Sequence, residues 1–125
     1  MPEVQLGPFS VRAERTKIEA YRSATRTGGQ DVPPAFPICW LGEPEIRAAV
    51  EKACGTRLPL HEGQTFEYER PLEIGAEYRL LISLREDADP PRLALKGECR
   101  TPTGELCLRI ETLLRLVSPA LEPSA

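Results

Sequence analysis

The chain carries one histidine, His61, where a loop enters the first long run of alternating residues. Imidazole titrates near neutral pH, so a histidine beside a pocket is a candidate proton donor or acceptor. The same ring can instead fix its loop by bonding backbone groups. Asp31, in Gly28-Gly29-Gln30-Asp31-Val32-Pro33, has a similar double reading: a proton-transfer carboxylate, or a turn residue bonding its own backbone. Glu62 adjoins His61, but neighbouring strand residues point to opposite faces, which makes the two a poor dyad. The four cysteines, Cys39, Cys54, Cys99 and Cys107, include no C-x-x-C pair. One histidine does not complete the usual zinc patterns, so no metal is expected. With Thr101-Pro102-Thr103-Gly104 as a four-residue hairpin loop, Cys99 faces Leu106, Leu95 faces Ile110 and Leu93 faces Thr112. Cys107 then points to the other face of the sheet, and four reduced thiols are expected.

Residues 9–12 read as a short strand. Thr16-Lys17-Ile18-Glu19 has the form of a capping box, and Ile18, Tyr21 and Thr25 share a helical face. A helix is therefore predicted over 17–26, closed by Gly28 in the left-handed conformation. Glycines and prolines forbid a helix over 27–37. A second helix is predicted over 43–54, with Pro44 as its first residue, Gly55 as its end and a start that can reach back to Ile38. Ile46, Ala49, Val50, Ala53 and Cys54 form its apolar face, while Arg47 and Glu51 stand four apart on the opposite one. From Leu60 the period becomes two. Gln64, Phe66 and Tyr68 share a face, as do Tyr78, Leu80, Ile82 and Leu84. Leu93 and Leu95 continue the pattern, and Leu106, Leu108, Ile110, Leu114 and Leu116 mark a long last strand. Turns fall at 72–75, 87–91 and 101–104. Helices followed by four antiparallel strands give an α+β domain, with a curved sheet wrapped around the 43–54 helix and Ala48, Ala49 and Ala53 allowing close approach.

The whole chain of 125 residues suits one domain, predicted over 1–117, with a frayed tail over 118–125. A domain this size buries roughly two-thirds of its unfolded surface, enough for a core without staples. Sixteen basic against 19 acidic residues leave a net charge of −3, which disfavours nucleic acid as a partner. The apolar runs are too short for a membrane span, and the first residues lack a secretion signal, so a cytoplasmic location is expected. Thirteen prolines punctuate the chain and cluster at Pro33-Pro34-Ala35-Phe36-Pro37, at Pro90-Pro91 and in the tail.

Two segments sharpen this α+β reading. Pro33-Pro34-Ala35-Phe36-Pro37, followed by Leu60-His61-Glu62-Gly63-Gln64-Thr65-Phe66-Glu67-Tyr68-Glu69-Arg70-Pro71-Leu72 with Gly75 beyond, resembles the MaoC-like dehydratase family. The similarity is to its N-terminal half-domain type and covers roughly Gly7 to Val117. It implies a hot-dog fold used as a dimer or a fused pair. It also implies enzymes that hydrate trans-2-enoyl thioesters, or dehydrate 3-hydroxyacyl thioesters, carried by coenzyme A or acyl carrier protein, with no cofactor. Their acyl chain lies in a tunnel between helix and sheet.

Catalysis in active members resides in an Asp-x-Asn-Pro-x-His loop after the first helix. Here Tyr21-Arg22-Ser23-Ala24-Thr25-Arg26-Thr27-Gly28-Gly29-Gln30-Asp31-Val32-Pro33 is shortened and holds neither asparagine nor histidine. Asp31 and His61 are the acid–base candidates, and Pro34, Phe36, Trp40, Gly63 and Gln64 the candidate substrate-binding residues. Phe36, Trp40 and Leu41 line a tunnel or plug the core. Arg70, Arg79 and Arg85 are solvated strand residues or phosphate contacts at a tunnel mouth. The expected function is an acyl-thioester-binding domain of the enoyl hydratase type, one half of a two-part enzyme. It would act as a homodimer or as a heterodimer with a catalytic hot-dog subunit. The alternatives are a thioesterase, with Asp31 or Glu43 activating water, and a non-catalytic acyl-binding or scaffolding subunit.

Overall fold

A computed structural model describes residues 3–119. Five strands, β1 (Val4–Arg12), β2 (Leu58–Tyr68), β3 (Glu77–Ala88), β4 (Pro91–Arg100) and β5 (Leu106–Val117), form one antiparallel sheet in the order β1-β3-β4-β5-β2. Between β1 and β2 the chain runs through helix α1 (Arg15–Thr25), a 3-10 turn (Phe36–Gly42) and helix α2 (Pro44–Cys54). Of the tail expected at 118–125, Ser118 and Pro119 are exposed and lie beyond the last strand; the rest falls outside the described residues.

The alternation from residue 60 onward becomes β2, β3, β4 and β5, with Leu80, Ile82, Leu93, Leu95, Leu108, Leu114 and Leu116 buried on the inner face. The side chains closing this face come chiefly from the 3-10 turn. Phe36 and Trp40 are fully buried, and Trp40 donates from its indole nitrogen to the Arg12 carbonyl at 3.3 Å. Tyr21, Phe36, Trp40 and Tyr78 form a run of ring contacts with centroids 5.9, 6.5 and 6.4 Å apart, which ties α1 to β3 through the turn. Helix α2 buries Ile46 and Cys54. Ala48, expected to meet the sheet, is exposed, and Ala49 and Ala53 are half-buried. The deepest contact to the sheet belongs to the aromatic turn, because its side chains reach where alanines cannot.

Several boundaries differ from the sequence expectation for local physical reasons. Strand β1 runs back to Val4 across Gly7-Pro8, which reads as a breaker but forms a bulge between Leu6 and Phe9. Gly7 has φ +93°, and a Cβ there would lie 2.7 Å from the Phe9 nitrogen and 2.9 Å from the Leu80 carbonyl oxygen. Only glycine fits. Helix α1 begins at Arg15, so Thr16 is already inside the first turn and the capping box does not form. Its entry is fixed by buried Ala13, whose backbone bonds Ala76 at 3.1 Å and Gly75 at 2.7 Å. The left-handed residue closing α1 is Arg26, not Gly28, with the Thr27 amide donating to the Arg22 carbonyl at 2.9 Å. The 3-10 turn remains separate from α2, whose first residue is Pro44.

Register in the last hairpin is displaced by two residues from the expected one. Cys99 pairs with Leu108, Leu95 with Thr112 and Leu93 with Leu114, with a register shift between Cys99 and Arg100. A two-residue slip leaves every side chain on its face, so the apolar pattern did not distinguish the two registers. Near this irregularity both Cys107 and Leu108 are buried, and Cys107 joins the same core cluster as Cys99 instead of facing away. All four cysteines are free thiols.

Candidate functional site

The two motif segments meet in space. The Tyr68 hydroxyl, near the end of β2, donates to the Pro34 carbonyl at 2.6 Å and so pins the proline loop to the strand. Burial pushes the Tyr68 phenol up to about 12. Val32, Pro34, Tyr68, Glu69, Arg70, Pro71 and Leu72 line an open surface groove beside this bond.

Farther back along β2, the pairing with β5 is irregular between His61 and Gly63. There the His61 Nε2 lies 3.1 Å from the Gly63 carbonyl oxygen and 3.1 Å from the Gln64 Oε1. Both partners are acceptors, so the proton belongs on Nε2, and Nδ1 is the ring's open nitrogen. Gln64 Oε1 also accepts from the Thr112 hydroxyl at 2.8 Å. A hydrogen-bonded line therefore runs from the exposed imidazole through Gln64 to Thr112, the one buried polar side chain among the described residues.

Thr112 is also the polar member of an apolar cavity between the 3-10 turn and the sheet. Pro37, Ile38, Trp40 and Leu41 cover it, and Leu80, Ile82, Leu95, Gly97, Ile110 and Thr112 form its floor and wall. Its volume is about 20 Å³, the order of a single water or methyl group. Ile38, Leu41 and Ile110 are half-buried, whereas Leu80, Ile82, Leu95 and Gly97 are buried.

The structure brings some of the sequence candidates together. Gln64 and His61 belong to one hydrogen-bonded group beside Gly63, and Trp40 reaches the same cavity as Thr112. Pro34 lies in the outer groove, and Phe36 is core. Asp31 is exposed and borders a recess with Pro71, Leu72, Glu73 and Ile74. No hydrogen bond joins it to His61. The arginines proposed for phosphates already have carboxylate neighbours: Arg70 with Glu105 at 2.7 Å, Arg79 with Glu77 at 2.7 Å and Arg85 with Asp87 at 3.1 Å. Glu43 is held by Lys17 at 2.9 Å.

Thr112 and Gly97 were missed as site residues, although the sequence holds a signal for both. Each interrupts an inward-facing apolar series, Leu93-Leu95-Gly97-Cys99 in β4 and Leu108-Ile110-Thr112-Leu114 in β5. Both interruptions line the cavity.

No family model and no curated protein matches the sequence. Solved structures do match the fold. One is the HadBC 3R-hydroxyacyl-ACP dehydratase complex of Mycobacterium tuberculosis, with a TM-score of 0.71 at 13% identity, covering 90% of this chain and 93% of that one. The (R)-hydratase of A. caviae involved in PHA biosynthesis aligns with a TM-score of 0.57 at 17% identity over 92% and 94% of the two chains. A hypothetical thioesterase of Streptococcus pneumoniae, solved with coenzyme A, gives 0.61 at 5% identity over 93% and 79%. The chain has the hot-dog fold, shared with the MaoC-like dehydratases that its two motif segments resemble.

Proposed function

We propose that this chain binds acyl thioesters and serves as the substrate-holding half of a two-part enoyl hydratase or 3-hydroxyacyl dehydratase. The observation that carries the reading is the apolar cavity between the aromatic turn and the sheet, whose one polar lining residue, Thr112, is hydrogen-bonded through Gln64 to His61 outside it. Apolar walls of this size favour the terminal methyl of an acyl chain over water. Hydration requires one group to deliver a proton to the substrate's α-carbon and another to activate the water that attacks the β-carbon. Asp31 and His61 have no hydrogen bond between them, and only His61 is linked to the cavity wall. A partner supplying the acid and base fits this arrangement better than autonomous turnover.

The edge of β2 supports such a partner. This outer strand runs for 11 residues, and Leu58 and Leu60 on it are 54% and 56% exposed, with Val117 of β5 paired to Leu58. Unpaired backbone flanked by exposed apolar side chains favours association with a second sheet. Either a second copy or a catalytic hot-dog subunit fits. Thioester hydrolysis has less support, because Glu43 is engaged by Lys17 and Asp31 borders a recess away from the apolar cavity.

The test follows enoyl absorbance and free thiol together when the purified chain meets trans-2-enoyl-CoA, with Asp31→Ala and His61→Ala alongside. The expected result is no turnover by the well-folded chain alone and enoyl loss when a catalytic hot-dog subunit is added. Enoyl loss by the chain alone, abolished by either substitution, would overturn the half-enzyme reading. Thiol release would favour the thioesterase.

A further inference from the structure

Resting on the acyl-thioester reading, we propose that helix α1 is the docking face for an acidic protein surface, that of an acyl carrier protein delivering the substrate. The observation behind it is a row of unmatched arginines. Every other arginine of the chain has a carboxylate oxygen at 3.6 Å or less. Arg15, Arg22 and Arg26 have no such partner among the described residues. Set seven and then four residues apart, they follow one flank of α1. Glu19, on the same flank, is exposed and pairs with none of them.

Each of the three carries a cost to the fold. Arg15 opens the helix, where the positive end of the macrodipole disfavours a cation, and no acidic residue stands in that first turn. Arg22 is half-buried, and its Nε and Nη2 are closed to solvent without a hydrogen-bond partner. A guanidinium stays charged, so these donors are left unsatisfied. Turning outward to an anion would satisfy them. Arg26 closes the helix at φ +55°, and among the described residues it alone, glycines aside, has a positive φ. Glycine would take that conformation without strain.

The row decides between carriers by its length. From Arg15 to Arg26 it runs about 16 Å along the helix axis. That outreaches a single diphosphate, which one or two guanidinium groups satisfy, and suits carboxylates spread over a protein surface. On a chain of net charge −3, three uncompensated cations on one helix make a local positive field that orients an acidic partner. The helix also adjoins the cover of the cavity, since Tyr21 meets Phe36 of the 3-10 turn with ring centroids 5.9 Å apart.

The experiment is calorimetric titration of the full chain with a bacterial holo acyl carrier protein and, separately, with hexanoyl-CoA. The proteins are wild type, Arg26→Gly, and a triple variant carrying Arg15→Gln, Arg22→Gln and Arg26→Gln. Wild type should bind the carrier protein, more weakly as salt rises, and the triple variant should bind it about tenfold less tightly. Arg26→Gly should keep or raise the urea midpoint while weakening carrier binding, a combination that damage to the fold does not produce. Carrier binding unchanged in the triple variant would overturn the proposal. So would equal loss of hexanoyl-CoA and carrier protein, which would make the row a phosphate site. Binding of hexanoyl-CoA but not of the carrier protein by wild type would overturn the docking face and leave the acyl-thioester reading intact. Binding of neither would overturn both.

Discussion

Tyr68 shows how a single hydroxyl can hold a site together. Removing it in Tyr68→Phe leaves the Pro34 carbonyl without its donor and should cost about 1–2 kcal/mol in urea unfolding. The same residue and Cys99 predict an alkaline limit to stability. Burial raises the Tyr68 phenol from its ordinary 10.0 to about 12 and the Cys99 thiol from 9.0 to about 12. Above pH 9 the unfolded chain begins to release protons that the folded chain retains. Their contribution is thus complete below the unfolded values and is lost as pH rises towards 12. Denaturant midpoints measured from pH 8 to 11 should fall, and Tyr68→Phe and Cys99→Ala should each flatten the fall; an unchanged slope in both would contradict this. Thr112→Val keeps the side-chain shape and removes the donor to Gln64, so a loss of about 1 kcal/mol is expected with the fold retained. Reading single residues from the sequence placed Gln64 and His61 in one strand motif but did not foresee the bond between them, which forms at the irregularity between His61 and Gly63. It did not reveal their connection to Thr112, because hydrogen bonding between strands depends on register.

The elements were legible wherever hydrophobic period governed and less so where tertiary contact did. Helix α2 and the long strands follow from spacing alone. The start of α1 does not, because Ala13 anchored against Gly75 and Ala76 decides where the helix begins. Strand β1 was underestimated because Gly7-Pro8 resembles a break, and its bulge becomes visible only against Leu80 of β3. This predicts that Gly7→Ala, at φ +93° and in collision with the Phe9 nitrogen, destabilises the sheet edge. Hydrogen exchange should show residues 4–12 opening more readily, while the β4–β5 hairpin keeps its protection. Uniform loss of protection would show that β1 is not a separable edge.

On the scale of the molecule, the sheet has two outer strands, β1 and β2, and only β2 combines a long open edge with adjacent exposed leucines. Sedimentation should therefore find the chain associated, and Leu58→Glu with Leu60→Glu should yield monomers without unfolding. A strict monomer in wild type would count against the partnered account. Fold class was readable from the order of elements and from the two motif segments. The small size of the cavity was not, because it depends on how far Trp40 and Leu41 descend onto Leu80 and Leu95. The central claim is that the methyl end of a thioester's acyl chain enters this cavity, with the rest of the chain against the turn and the sheet. Its most direct measurement is a calorimetric comparison of hexanoyl-CoA with coenzyme A, each titrated into the full chain at two temperatures. Tighter binding of hexanoyl-CoA with a more negative heat-capacity change would show the acyl group leaving water for the apolar wall. Equal affinities and equal heat-capacity changes would contradict it.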